Sequence, residues 1–188
     1  MFRKRAKPAA PMAASGPDGA VVSLVTEAIM ATIKDAHGIH LETAVAGAAA
    51  TAGTFLLRSV AGDALDSMKP GAYVIYDRVN GAGPRLLGFV KSLAVAANIT
   101  WDTQTLDIPP EHEPHEPYVD LVRRLEPPVA KVLTDHAVPP DQWADHTAPC
   151  AVDLLLRAGP GVPLPVASRI ITMGIVNGSK TVPYTRGT

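Results

Sequence analysis

Thr43 to Leu57 reads TAVAGAAATAGTFLL, fifteen residues without a charge between Glu42 and Arg58, most of them very small. Ala, Gly and Thr recur at helical spacing (Thr43, Gly47, Thr51; Ala46, Ala50, Thr54), so one face of this helix lets another backbone come close. The spacing predicts a buried central helix over about residues 41–60. A bilayer span requires roughly 20 mainly apolar residues, and 10–14 more often mark a core helix. Gly47 and Gly53 each lower helix stability by ~1 kcal/mol relative to Ala. We therefore expect a core element and no membrane span.

Around that helix, the 188 residues suffice for one domain with a substantial core. Hydrophobic residues make up 47% and charged residues 19%, which is globular; a net charge of −1 gives no reason to expect nucleic acid as the partner. Aromatic residues at 5% offer little for stacking on bases or sugars. The one cysteine, Cys150, excludes an internal disulfide and points to a reducing, cytoplasmic compartment. Residues 1–19 carry Arg3, Lys4, Arg5 and Lys7 followed by Ala, Pro, Ser and Gly, not an apolar segment. They are expected to form a solvated basic tail and not a secretory signal, leaving 20–188 as a single globular domain.

Val21, Val25, Ala28, Ile29 and Ile33 form the stripe of a first helix, with Asp18 as its cap and Gly38 at its end. After the turn at Lys69-Pro70-Gly71, Tyr73, Val74, Ile75, Tyr76 and Val79 are β-formers, so a strand is expected over 72–79. Its partner would be a segment such as Thr103–Ile108 or a second copy of the chain. Asn80-Gly81-Ala82-Gly83 breaks that strand and Pro84 opens another apolar helix. Twelve of the 18 prolines lie between Pro109 and Pro165, cutting the second half into short helices that begin at proline. Gly159 and Gly178 are the expected C-terminal caps, and 108–117, IPPEHEPHEP, the expected exposed linker. The fold expected is α+β, predominantly helical: about six helices, a small sheet, and the 41–60 helix at the centre.

Chemistry concentrates at three places. His40 and Glu42 stand at the mouth of the central helix, where imidazole titrates near neutrality and carboxylate can orient it or act as a base. Glu42 also suits the helix dipole, its structural role. Asp77 and Arg78 close the expected strand and are candidate neighbours of that pair. His112 and His115, among Glu111, Glu113 and Glu116, have metal-ligand chemistry but sit in a proline-broken loop, split by Pro114, without the i, i+4 convergence of a zinc site. Gly81 and Gly83, after a strand and before a helix, offer a weak phosphate-cradling pattern. No Gly-Lys-Ser/Thr and no downstream acidic ribose partner accompany it. His40-x-Glu42 with Pro149-Cys150 forms part of a zinc-deaminase pattern, but Asp153 stands where the second cysteine belongs. No Gly-x-Ser-x-Gly elbow is present. These motifs call for no cofactor.

His40-Leu41-Glu42-Thr43-Ala44 opening a small-residue helix, then Tyr76-Asp77-Arg78-Val79-Asn80, then Leu93-Ala94-Val95-Ala96-Ala97, together resemble a family of uncharacterised bacterial proteins. The resemblance covers about residues 35 to 100, with Lys180-Thr181-Val182-Pro183. It implies continuity of fold with a family that carries no assigned activity, and it implies that His40, Glu42, Asp77 and Asn80 share one neighbourhood. The expectation for function is a binding or assembly protein, self-associating through its apolar helices and able to take an apolar small molecule. The alternative is a small hydrolase-like enzyme using His40 and Glu42.

Overall fold

The computed structural model describes residues 16–159 and 161–184, so most of the expected N-terminal tail lies outside the described residues. Among the described residues seven α-helices follow in order: α1 (Gly19–Ile33), α2 (Leu41–Ala61), α3 (Asp77–Ala96), α4 (Tyr118–Asp135), α5 (Trp143–Thr147), α6 (Pro149–Ala158) and α7 (Leu164–Lys180). Short 3₁₀ turns lie at Gly62–Ser67, Pro110–His112 and Pro140–Gln142.

α2 is the axle, packing against all six other α-helices. Its small face receives α7, running parallel to it, and the second helix brings matching small residues. A Cβ on Gly178 would lie 1.9 Å from the Ala50 carbonyl oxygen, and one on Gly174 would lie 2.6 Å from Ala49 Cβ. On α2, a Cβ at Gly53 would meet the Ile175 carbonyl oxygen at 2.4 Å. Gly178 is therefore a packing residue inside α7 and not the cap expected of it. On another side of α2, Gly47 makes room for Leu125 of α4. By length and composition the run Leu41–Ser67 is also long and apolar enough to cross a membrane, contrary to the count of uncharged residues alone. Here 78% of its most apolar window is buried among the other helices. The apolar perimeter that suggested self-association through α2 is covered within the chain.

The expected strand at 72–79 and the small sheet are corrected: among the described residues the fold is all-α, with only isolated β-bridges. Residues 72–76 are extended, but their pairing is local. Gly71 N–H donates to Val182 C=O at 2.8 Å, Val182 N–H to Ala72 C=O at 2.9 Å, and Val74 N–H to Lys180 C=O at 2.8 Å. The partner is thus the chain's own C-terminal segment, neither 103–108 nor a second copy. From Asp77 the backbone turns helical because Val79, Gly83, Leu86, Val90 and Ala94 make a buried stripe. Burial of that stripe outweighs the helix-breaking tendency of Gly81 and Pro84, whose positions face solvent. Pro127 and Pro128 are likewise carried inside α4, joining two helices that the prolines were expected to separate. α1 ends at Ile33, five residues before Gly38, whose φ of +115° serves the turn into α2.

Candidate functional site

The N-terminal end of α2 is built by two segments far apart in sequence. Residues 108–117 are not a free linker: they lie against the start of α2 and bring both of their histidines to the His40–Glu42 pair. His112 Nδ1–H donates to Glu42 Oε1 at 2.8 Å, and His115 N–H donates to Thr43 Oγ1 at 3.0 Å. The rings of His115 and His40 stack, with centroids 3.4 Å apart and planes inclined by 23°. Farther along, Arg124 of α4 bonds the Glu116 carboxylate and donates to the free C-terminal carbonyl of Thr32 in α1, the latter at 2.8 Å. The segment is fastened at three points.

Hydrogen bonding fixes the tautomers. Thr43 Oγ1 accepts from His115, so its own proton goes to His40 Nδ1 at 2.7 Å, where Thr43 N–H also donates at 3.3 Å. His40 thus caps α2 through an unprotonated Nδ1, leaving its proton on Nε2, 3.4 Å from Glu42 Oε2. Glu42, only 8% exposed, faces one imidazole on each carboxylate oxygen. Burial holds the His40 pKa below its ordinary value; Glu42 opposes that shift, while His115 and His112 add to it. His40 is accordingly neutral at pH 7, and the arrangement is a carboxylate with an oriented imidazole on either side. Such a pairing positions a base, as the acid of a carboxylate–imidazole dyad does.

His115 also lines an open groove of about 560 Å³, together with Glu113, Glu116 and Tyr118. Leu106, Asp107 and Ile108 line it too, together with Met173 of α7. The segment carrying Leu106 is held by α7: Arg169 donates to the Asp107 carbonyl at 3.1 Å and to Asp102 Oδ2 at 3.0 Å, while Ser168 Oγ donates to the Asp102 carbonyl at 2.7 Å. Burial, and next the nearby Glu113, push the Tyr118 hydroxyl up to about 12, so it stays protonated.

The other sequence candidates lie elsewhere. Asp77 and Arg78 border Val60 and Ala61 at the far end of α2, which at 1.5 Å per residue is roughly 30 Å from His40. Asn80 accepts from Lys180 Nζ at 2.9 Å. The single neighbourhood expected for His40, Glu42, Asp77 and Asn80 is therefore split between two ends of one helix. Gly81 and Gly83 are inside α3, where backbone N–H groups bond carbonyls four residues back and cannot cradle phosphate. Cys150 is buried in α6 against the carbonyls of Val22 and His146, its thiol pushed up to about 12 by burial. That removes it from any site with His40. Among the described residues no three His, Cys, Asp or Glu side chains are arranged to hold a metal ion.

What sequence reading missed is the meeting of His112 and His115 with Glu42. The residues were visible, and so were the prolines at 109, 110, 114 and 117 that stiffen the segment carrying them. Their target, some seventy residues upstream, left no mark in spacing or periodicity. No family model, curated protein or solved structure matches this chain.

Proposed function

We propose that this chain is a small-molecule-binding protein whose site is the groove between residues 106–108 and 113–118, with acid–base chemistry supplied by His40, Glu42 and His112 at its end. The observation that carries the reading is Glu42: a nearly buried carboxylate facing two imidazoles from opposite halves of the chain, in a cluster that reaches the open groove through His115, which stacks on His40 and lines it. A first-turn carboxylate favours the helix dipole without any imidazole partner. Recruiting two histidines costs the ordering of a ten-residue segment. This reading joins the binding role expected from the sequence to the enzymatic alternative at one place, with His112 as the oriented base.

The experiment is a fragment screen by ¹H–¹⁵N NMR on the full chain, followed by the same titrations on His115→Ala. Hits should shift the amides of Leu106, Asp107, Ile108, Glu113, His115, Glu116, Tyr118 and Met173, and should weaken at least fivefold in the variant. Hits that cluster instead around Val60, Asp77 and Arg78, or that ignore the loss of His115, would overturn the assignment.

A further inference from the structure

We infer that the groove selects amphipathic organic cations: a primary or secondary ammonium head on an apolar body. The inference rests on the groove being the binding site and goes beyond it by naming the ligand's charge. Three acidic residues line the groove, Asp107, Glu113 and Glu116, and among the described residues that line it none is a lysine or arginine. Glu116 is neutralised by Arg124. Arg169 reaches Asp107 only at its backbone carbonyl and spends its charge on Asp102. Asp107 Oδ2 accepts from the Thr105 hydroxyl, a neutral donor. Glu113 is exposed, and among the described residues it makes no salt bridge. A negative field therefore converges on a concave surface where low-dielectric walls focus it.

Between the carboxylates the surface is apolar. Leu106 is 43% exposed, and Ile108, Met173 and Tyr118 line the same groove. An ammonium placed at Glu113 can lie over the edge of that patch while its body covers Leu106, and an aromatic wall at Tyr118 favours the cation further. An anionic ligand of the same shape meets Glu113 and Asp107 with like charge. A neutral one gains only the apolar contact. The order expected is cation, then neutral, then anion, and the cation's advantage should shrink as salt screens it.

The test uses three probes that share a phenylethyl body, on the full chain at pH 8: 2-phenylethylamine, 2-phenylethanol and 3-phenylpropionate, titrated by ¹H–¹⁵N NMR. The amine should bind at least fivefold more tightly than the alcohol, with shifts at Leu106, Ile108 and Met173, and the carboxylate should give no saturable shift. Glu113→Gln, at an exposed position, should leave the fold's spectrum intact and bring the amine down to the alcohol's affinity. If the alcohol or the carboxylate binds this groove as tightly as the amine, the charge selection is wrong while the groove remains the site. If all three probes leave the groove untouched, the site assignment fails together with this inference. An amine advantage that survives Glu113→Gln unchanged also overturns the inference.

Discussion

Replacing Gly178 by alanine adds one methyl group where the structure has none to spare. The new Cβ would stand 1.9 Å from the Ala50 carbonyl oxygen and within 3.0 Å of two further Ala50 backbone atoms. Ordinary carbon–oxygen contact begins near 3.2 Å, so α7 must retreat from α2 by about 1 Å along this seam, because backbone cannot rotate away as a side chain can. Overpacking of this kind costs typically 1–3 kcal/mol and more where backbone is the obstacle. Against this stands a gain of ~1 kcal/mol in helix propensity. Taking the upper part of the overpacking range for a backbone obstacle, we expect a net loss of about 1–2 kcal/mol, which for a domain of this size lowers Tm by roughly 2–8 °C. The control is the same substitution at Gly81, also inside a helix but with nothing within 4 Å of its Cβ. There only the propensity gain remains, and Gly81→Ala should raise stability by about 0.5–1 kcal/mol. Urea denaturation followed by circular dichroism gives both values. If Gly178→Ala is as stable as the parent protein, the parallel α2–α7 seam is not where the structure places it.

Acidification should destabilise the end of α2. The His40 pKa is held below its ordinary 6.5, so above 6.5 neither state carries the extra proton. As pH falls below 6.5 the unfolded chain takes up the proton first and stability declines until the folded-state pKa is reached. Denaturation midpoints between pH 7.5 and 5 should show this limb, and His40→Gln should flatten it; an unchanged limb assigns the effect to another group. Glu42→Gln puts an amide donor against an imidazole N–H and should cost about 1–2 kcal/mol. Hydrogen exchange at the His115 amide should accelerate more than exchange in α7, and uniform acceleration would contradict a local fastening. Arg58→Met leaves the 4%-exposed Glu126 carboxylate without the guanidinium that now lies 2.6 Å from it, at a cost of about 3 kcal/mol. Adding Glu126→Leu should recover much of that loss in a double-mutant cycle, and simple additivity of the two changes would show that the pair is not coupled.

The sequence by itself determined the central element. Fifteen small uncharged residues can only be useful in a helix that something approaches closely, and α2 is that helix. It also marked the stripe of α1, its Asp18 cap, whose carboxylate accepts from Ala20 N–H at 2.8 Å, and the end of α6 at Gly159. These features are local: periodicity, caps and chain reversal are written within a few residues of where they act.

Tertiary structure decided what depends on a partner. Whether Tyr73 to Tyr76 became a strand rested on finding an edge to pair with, and only three residues of the C-terminal segment were offered. Whether Gly81, Pro84, Pro127 and Pro128 ended helices rested on whether the apolar stripe running past them could be buried, and in α3 and α4 it could. Gly178 became a contact and not a cap because Ala50 lies against it. The site shows the same division most clearly. His40 and Glu42 were legible as a helix mouth, since their neighbours in sequence are also their neighbours in space. His112 and His115 belong with them only because residues 108–117 fold back across α2, and a hydrogen bond between residues seventy positions apart has no signature in the order of the residues between.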